Sequence, residues 1–317
     1  MKTSNVIKSL IAAGIAAVGA GSYAFWRRAV LRVDNPPRHA TEEAKAGTHW
    51  ETTLPFIRNR LAWLDQQKTE PVSITSFDGL KLKGVLLPAK EESEKVVLAV
   101  HGYTSCGDNE YAAMSYFFHE NGYHVLLVDD RAHGASEGKY VGYGCLDRED
   151  VYRWTRFLHD RFQGKCSIYL HGISMGATTV LMAGSMSLPP SVKGIVADCG
   201  FTSPWEEFAY LLKHKYHCPV YPVLPVVNLI NKVVAGYGFK DCDARKEAAN
   251  TSIPVLIIHG EKDRFVPASM AKEIYDACAS RKQLWLVKDA AHAESYYVAR
   301  KEYEERVLDF LKSLERV

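Results

Sequence analysis

The 317-residue chain predicts an α/β fold, a mostly parallel sheet flanked by helices. Three observations carry that expectation. Short apolar runs alternate with amphipathic ones from residue 96 to 315; an Asp78-Gly79 pair separates two strand-like runs; and a serine between glycines, Gly172-Ile173-Ser174-Met175-Gly176, joins an apolar run to a helix-like one.

Asp78-Gly79 suits the tight turn of an antiparallel hairpin, so residues 72–77 and 80–87 read as its strands. Six further short runs, residues 96–100, 125–128, 167–170, 194–197, 255–258 and 283–287, are mostly apolar, the pattern of strands covered on both faces. Helical patterns lie between or after them at residues 110–121, 146–162, 177–186, 269–279 and 295–315. Ahead of the hairpin, Leu54, Ile57, Leu61 and Leu64 share one face of a helix over residues 52–67, with Pro55 in its first turn. Residues 201–250 break the rhythm. They are long, aromatic and punctuated by proline, and predict a small helical cap inserted after the sixth strand. The expected division is an anchor at 1–32, a linker and leading helix at 33–70, and an α/β domain at 71–317 with its cap at 201–250.

Residues 9–26 carry no charge, and a helix of about 18 residues rises about 27 Å, marginally the hydrocarbon thickness of a bilayer. Lys2 and Lys8 precede this stretch, and Arg27, Arg28 and Arg32 follow it. The expectation is an uncleaved single-pass membrane anchor. A signal peptide cleaved near Val18 and Ala20, or a buried helix, are the rival readings. Seven cysteines without CxxC spacing read as free thiols, and with the arginines they tilt the expected topology toward a cytoplasmic domain. Thirty-nine basic against 37 acidic side chains leave a net charge of +2, which excludes nucleic acid as a partner on electrostatic grounds.

A strand that turns abruptly into a helix forces the serine at the corner into a strained backbone. Side chains two residues to either side would collide with neighbouring elements, which is why glycines flank Ser174. Hydrolysis by such a serine needs a base, a carboxylate to orient it, and donors for the developing oxyanion. Asp263 follows the run at 255–258 and His292 follows the run at 283–287, both at the strand ends where open α/β sheets assemble their sites. Asp198, also at a strand end, is the alternative acid. His101 and His133 read as loop anchors, while Tyr210, Tyr216, Tyr221 and Tyr237 either line a pocket or pack the cap.

The order Ser174, Asp263, His292 resembles that of the α/β-hydrolase superfamily, and the likeness spans residues 72–314. His101-Gly102-Tyr103-Thr104 resembles its HGx oxyanion loop, and the stretch from Asp129 to Gly138 resembles its DxRGHGxSxG turn, with Ala132 in place of the commoner glycine. Small serine esterases and aminopeptidase-like hydrolases are the nearest match within it. The resemblance implies the α/β-hydrolase fold, a triad of Ser174, His292 and Asp263, and an oxyanion hole made by the backbone N–H groups of Tyr103 and Met175. It implies cleavage of a carboxylic ester in a small-molecule or lipid-like acyl substrate through an acyl-enzyme, with no metal or organic cofactor. Thioester, amide or peptide cleavage are the alternatives, and a non-catalytic scaffold the remote one. Val223, Leu224, Val227 and Leu229 of the cap are expected to set acyl-chain preference.

Overall fold

The computed structural model describes residues 2–32 and 50–315; most of the expected linker, residues 33–49, lies outside them. In chain order the elements are α1 (Lys2–Val30), α2 (Trp50–Leu64), β1 (Glu70–Thr75), β2 (Lys81–Leu87), β3 (Lys95–Val100), α3 (Gly107–Glu120), β4 (His124–Val128), α4 (Asp147–Arg161), β5 (Ser167–Ile173) and α5 (Met175–Ala183). There follow β6 (Val192–Asp198), α6 (Pro204–His214), α7 (Val220–Ala235), α8 (Ala244–Ala248), β7 (Val255–Gly260), α9 (Ala268–Ala277), β8 (Lys282–Val287), α10 (Ser295–Val298) and α11 (Arg300–Leu314).

Among the described residues the eight strands form one sheet in the order β1-β2-β4-β3-β5-β6-β7-β8, as an α/β-hydrolase fold requires. Only β2 runs against its neighbours β1 and β4; every other pairing is parallel. The hairpin turns where Asp78-Gly79 predicted, because Gly79 sits at φ 90°, a conformation an L side chain resists. The register aligns the C-terminal strand ends: Val100 pairs with Gly172, Ile173 with Asp198, and Gly260 with Val287. That shared edge collects the loops that carry the candidate chemistry.

Two local details differ from expectation. The helix predicted over residues 295–315 is broken at Ala299, whose backbone (φ −125°, ψ 41°) leaves the helical region, so α10 and α11 are separate. Helix α2 begins at Trp50, so Pro55 falls beyond its first turn. Ala132, by contrast, takes the left-handed conformation (φ 60°) that glycine adopts more cheaply, so the turn survives the substitution. Beside it Arg131 is 2 % exposed and forks between Asp150 of α4 (2.6 and 2.9 Å) and Asp78 of the hairpin turn (3.0 Å). This ties the exposed turn to the loop after β4 and one helix face through a buried guanidinium.

Residues 9–26 do not form the expected anchor. Helix α1 covers them, yet no helix among the described residues is long and apolar enough to cross a membrane. This overturns the single-pass span and the membrane localisation that rested on it, and leaves the expected membrane contact through residues 9–26 without support. Alanine and glycine make much of the stretch weakly apolar, and its bulky C-terminal end is used inside the protein. Trp26, Ala29 and Val30 join the main core, α1 packs against α7, and the Trp26 indole N–H donates to Asn231 Oδ1 at 3.0 Å.

The interval after β6 holds the two cap helices, α6 and α7. Leu224 and Val227 are fully buried there, Val223 is half-buried, and Leu229, expected to face acyl chains, is 61 % exposed. Tyr237 packs inward with its hydroxyl on the Val141 carbonyl, whereas Tyr221 is exposed, so the four cap tyrosines do not share one pocket.

Cys145 and Cys242, expected as free thiols, are disulfide-bonded across 97 residues, while Cys106, Cys166, Cys199, Cys218 and Cys278 are free. The bond joins the loop before α4 to the segment after α7. Closing so long a loop restricts the unfolded chain, so reduction is expected to lower the unfolding free energy by about 2–4 kcal/mol. Urea unfolding with and without a phosphine reductant checks this; equal midpoints would refute it. A Cys145→Ser, Cys242→Ser double variant should match the reduced protein under both conditions.

Candidate active site

Strand β5 ends at Ile173, helix α5 begins at Met175, and Ser174 takes the corner at φ 55°, ψ −113°. Both flanking glycines are obligatory. A Cβ on Gly172 would meet the Gly176 carbonyl oxygen at 2.3 Å, and one on Gly176 would meet that of Val100 at 2.0 Å. The corner holds Ser174 at the N-terminus of α5, where the unpaired N–H groups of a first helical turn favour negative charge.

The loop after β3 lies directly against this serine, since a Cβ on Gly102 would stand 3.3 Å from Ser174 Cβ. His101 braces that loop: its Nδ1–H donates to Gly102 O (2.7 Å) and its Nε2 accepts from Asp130 N (3.0 Å). His133 Nδ1 donates to Arg131 O at 3.0 Å. Burial pushes the pKa of His101 down to about 4 and that of His133 to about 3, leaving both neutral, in keeping with loop anchors.

Ser174 Oγ lies 2.8 Å from His292 Nε2, and His292 Nδ1 lies 2.7 Å from Asp263 Oδ2. The other carboxylate oxygen of Asp263 accepts from the backbone N–H groups of Phe265 (2.8 Å) and Val266 (2.9 Å). Burial alone would raise the Asp263 pKa, but hydrogen bonding and charge from His259 and His292 outweigh it and hold the carboxyl well below the ordinary range. The arrangement is therefore a hydroxyl on an imidazole whose far nitrogen faces an ionised carboxylate, a geometry suited to removing the hydroxyl proton.

Asp198, the alternative acid, is not part of this line. Its Oδ1 accepts from Ser295 Oγ at 3.0 Å, and burial pushes its pKa up to about 6. Three neighbours of this line of contacts escaped the sequence reading. His259 Nε2 donates to Val266 O (2.9 Å) and stands 3.4 Å from Asp263 Oδ2, bracing the loop that carries the acid. The Phe265 ring lies 4.9 Å from that of His292. Glu207 of α6 is 4 % exposed, and neither of its carboxyl oxygens has a hydrogen-bond partner; burial and the nearby Asp263 push its pKa well up. His259 directly follows the run at 255–258, but its contact with Asp263 runs through a folded loop, and no sequence pattern marks Glu207.

A family model described as Serine aminopeptidase, S33, matches residues 91–237 and 238–294. The uncharacterized protein YqkD of Bacillus subtilis is 29 % identical over 250 residues, covering 79 % of this chain and 81 % of that one. The lysophosphatidylserine lipase ABHD12 of Danio rerio is 26 % identical over 198 residues, 61 % of this chain and 50 % of that protein. Among solved structures, the Pyrococcus furiosus esterase Pf2001 superposes with a TM-score of 0.66 at 26 % identity, covering 90 % of this chain and 99 % of its own. Family match and sheet topology agree, and the chain belongs to the Serine aminopeptidase, S33, family of the α/β-hydrolase superfamily.

Proposed function

We propose that this serine hydrolase cleaves carboxylic esters through an acyl-enzyme, with Ser174 as nucleophile, His292 as base and then acid, and Asp263 as its orienting carboxylate. The observation that carries the reading is the unbroken line of contacts from Ser174 Oγ through His292 to Asp263, 2.8 and 2.7 Å long. Ser174 Oγ attacks the acyl carbonyl while its proton passes to His292 Nε2. The oxyanion is received by the backbone N–H groups of Tyr103 and Met175, which flank the serine from the loop after β3 and the start of α5. Collapse expels the alcohol with the proton from His292; water, deprotonated by the same imidazole, then releases the acid and restores the serine. Asp263 stays ionised throughout and stabilises the imidazolium.

A small-molecule or lipid ester is favoured by the likeness to the esterase Pf2001 and to the lysophosphatidylserine lipase ABHD12. Hydrolysis of p-nitrophenyl esters from acetate to palmitate tests it. The expected result is turnover that a fluorophosphonate abolishes in proportion to labelling of Ser174. The family's own description favours peptide or amide cleavage as the second reading, so aminoacyl p-nitroanilides belong in the same panel. A folded enzyme inert on the esters but active on the anilides would replace the ester assignment, and inertness on both would leave a scaffold. Leu229→Ala, altering an exposed cap residue, should preserve the chain-length profile.

A further inference from the structure

The last four carbonyls of an α-helix have no partner within it. In α1 all four are taken up, one locally and three by the α/β domain. Leu31 N donates to Arg27 O (3.3 Å), the Tyr103 hydroxyl to Arg28 O (2.7 Å), the Tyr143 hydroxyl to Ala29 O (2.5 Å), and Val141 N to Val30 O (2.8 Å). Just beyond, the Arg32 guanidinium donates to the carbonyls of Ser136 and Gly134 (2.6 and 2.7 Å). One of these clamps, Tyr103, is the residue whose backbone N–H is assigned to the oxyanion.

The same two turns of α1 also complete a circuit of side chains from that loop to His292. The Tyr103 ring lies 5.6 Å from Tyr143, Tyr143 5.0 Å from Phe208 of α6, and Phe208 5.6 Å from Phe25 of α1. Phe25 then meets Tyr216 edge-on at 5.8 Å. Lys215, beside Tyr216, sits 4.6 Å over the Phe265 ring, which packs on His292. Phe25 is the one member of this circuit supplied from outside residues 71–317. Phe25 alone links the Phe208 ring to that of Tyr216 in this series of contacts.

We propose that the last two turns of α1 are a working wall of the active site: Phe25 selects among acyl chains, and the Arg28 carbonyl steadies the oxyanion loop through the Tyr103 hydroxyl. The idea rests on the serine-hydrolase reading above. Phe25 acts by contact with the substrate chain, whereas Tyr103's side chain acts only by positioning its own backbone N–H. The two effects therefore fall on different constants.

Phe25→Ala, at a half-buried position, should lower the ratio of kcat/KM for long against short p-nitrophenyl esters by about tenfold or more, since even one methylene in an apolar pocket discriminates by that order. Phe25→Leu should restore most of the ratio, and Ile15→Ala, exposed on the same helix, should leave it unchanged. Tyr103→Phe, which keeps the ring and loses the bond to Arg28 O, should lower kcat about tenfold with KM little changed, because small misplacements of transition-state donors are costly. It should weaken a trifluoromethyl ketone, which binds as a tetrahedral adduct, by a similar factor. Tyr143→Phe, which frees the neighbouring Ala29 carbonyl, should move kcat in the same direction by less. An unchanged ratio in Phe25→Ala, or unchanged kcat and ketone affinity in Tyr103→Phe, in variants of parental stability, would overturn the proposal. Fluorophosphonate labelling separates the levels: an unlabelled parent overturns the serine-hydrolase reading itself, while labelled variants with parental kinetics overturn only the role of α1.

Discussion

Replacing Ser174 with alanine is expected to lower kcat by about 10⁵–10⁶, the scale on which removal of a triad nucleophile acts, while the protein stays folded. The folded state tolerates the change because alanine keeps the same backbone strain at φ 55° and loses only the contact to His292. Steady-state hydrolysis of the preferred p-nitrophenyl ester measures the first part, and a thermal midpoint within a few degrees of the parent's the second. Fluorophosphonate labelling should vanish with the hydroxyl. A variant that stays labelled, or turns over within tenfold of the parent, would remove Ser174 from the mechanism.

Asp263→Asn is expected to lower kcat by about 10⁴ with little change in KM, because an amide facing Nδ1 no longer fixes the imidazole tautomer that leaves Nε2 free to accept the serine proton. Asp198→Asn, by contrast, should leave kcat within a few-fold, since that carboxyl bonds Ser295 and not His292. Its signature is in stability. Asp198 has a folded pKa of about 6 against an unfolded value of about 3.9, so the folded state holds the proton more tightly. The ionised carboxylate therefore costs stability above about pH 6, and that cost disappears as the pH falls from the folded pKa toward the unfolded one. Asparagine should raise the unfolding free energy near pH 8 by about 3 kcal/mol and flatten its pH dependence between about pH 4 and 6. If instead Asp198→Asn removed activity and Asp263→Asn did not, the acid would lie on β6 and the contact geometry around His292 would have to change on substrate binding.

The sheet and its main landmarks were legible in the residues alone, because apolar strand runs, the Asp78-Gly79 turn and the glycines around Ser174 are constraints between residues a few positions apart. So were the strand ends at which Asp263 and His292 stand, once the alternation of strands and helices was counted. What the sequence left open were contacts between distant segments. Cys145 and Cys242 meet across 97 residues, and no spacing distinguishes them from the five free cysteines. The choice of Asp263 over Asp198 as the partner of His292 depended on which loop folds toward the imidazole. Helix α1 is the sharpest case: an uncharged stretch suggested a membrane span, whereas Trp26 and Val30 are buried in the protein's own core and two tyrosines take up the carbonyls of Arg28 and Ala29. Apolar length measures how much surface must leave water, and only the tertiary structure decides which surface receives it.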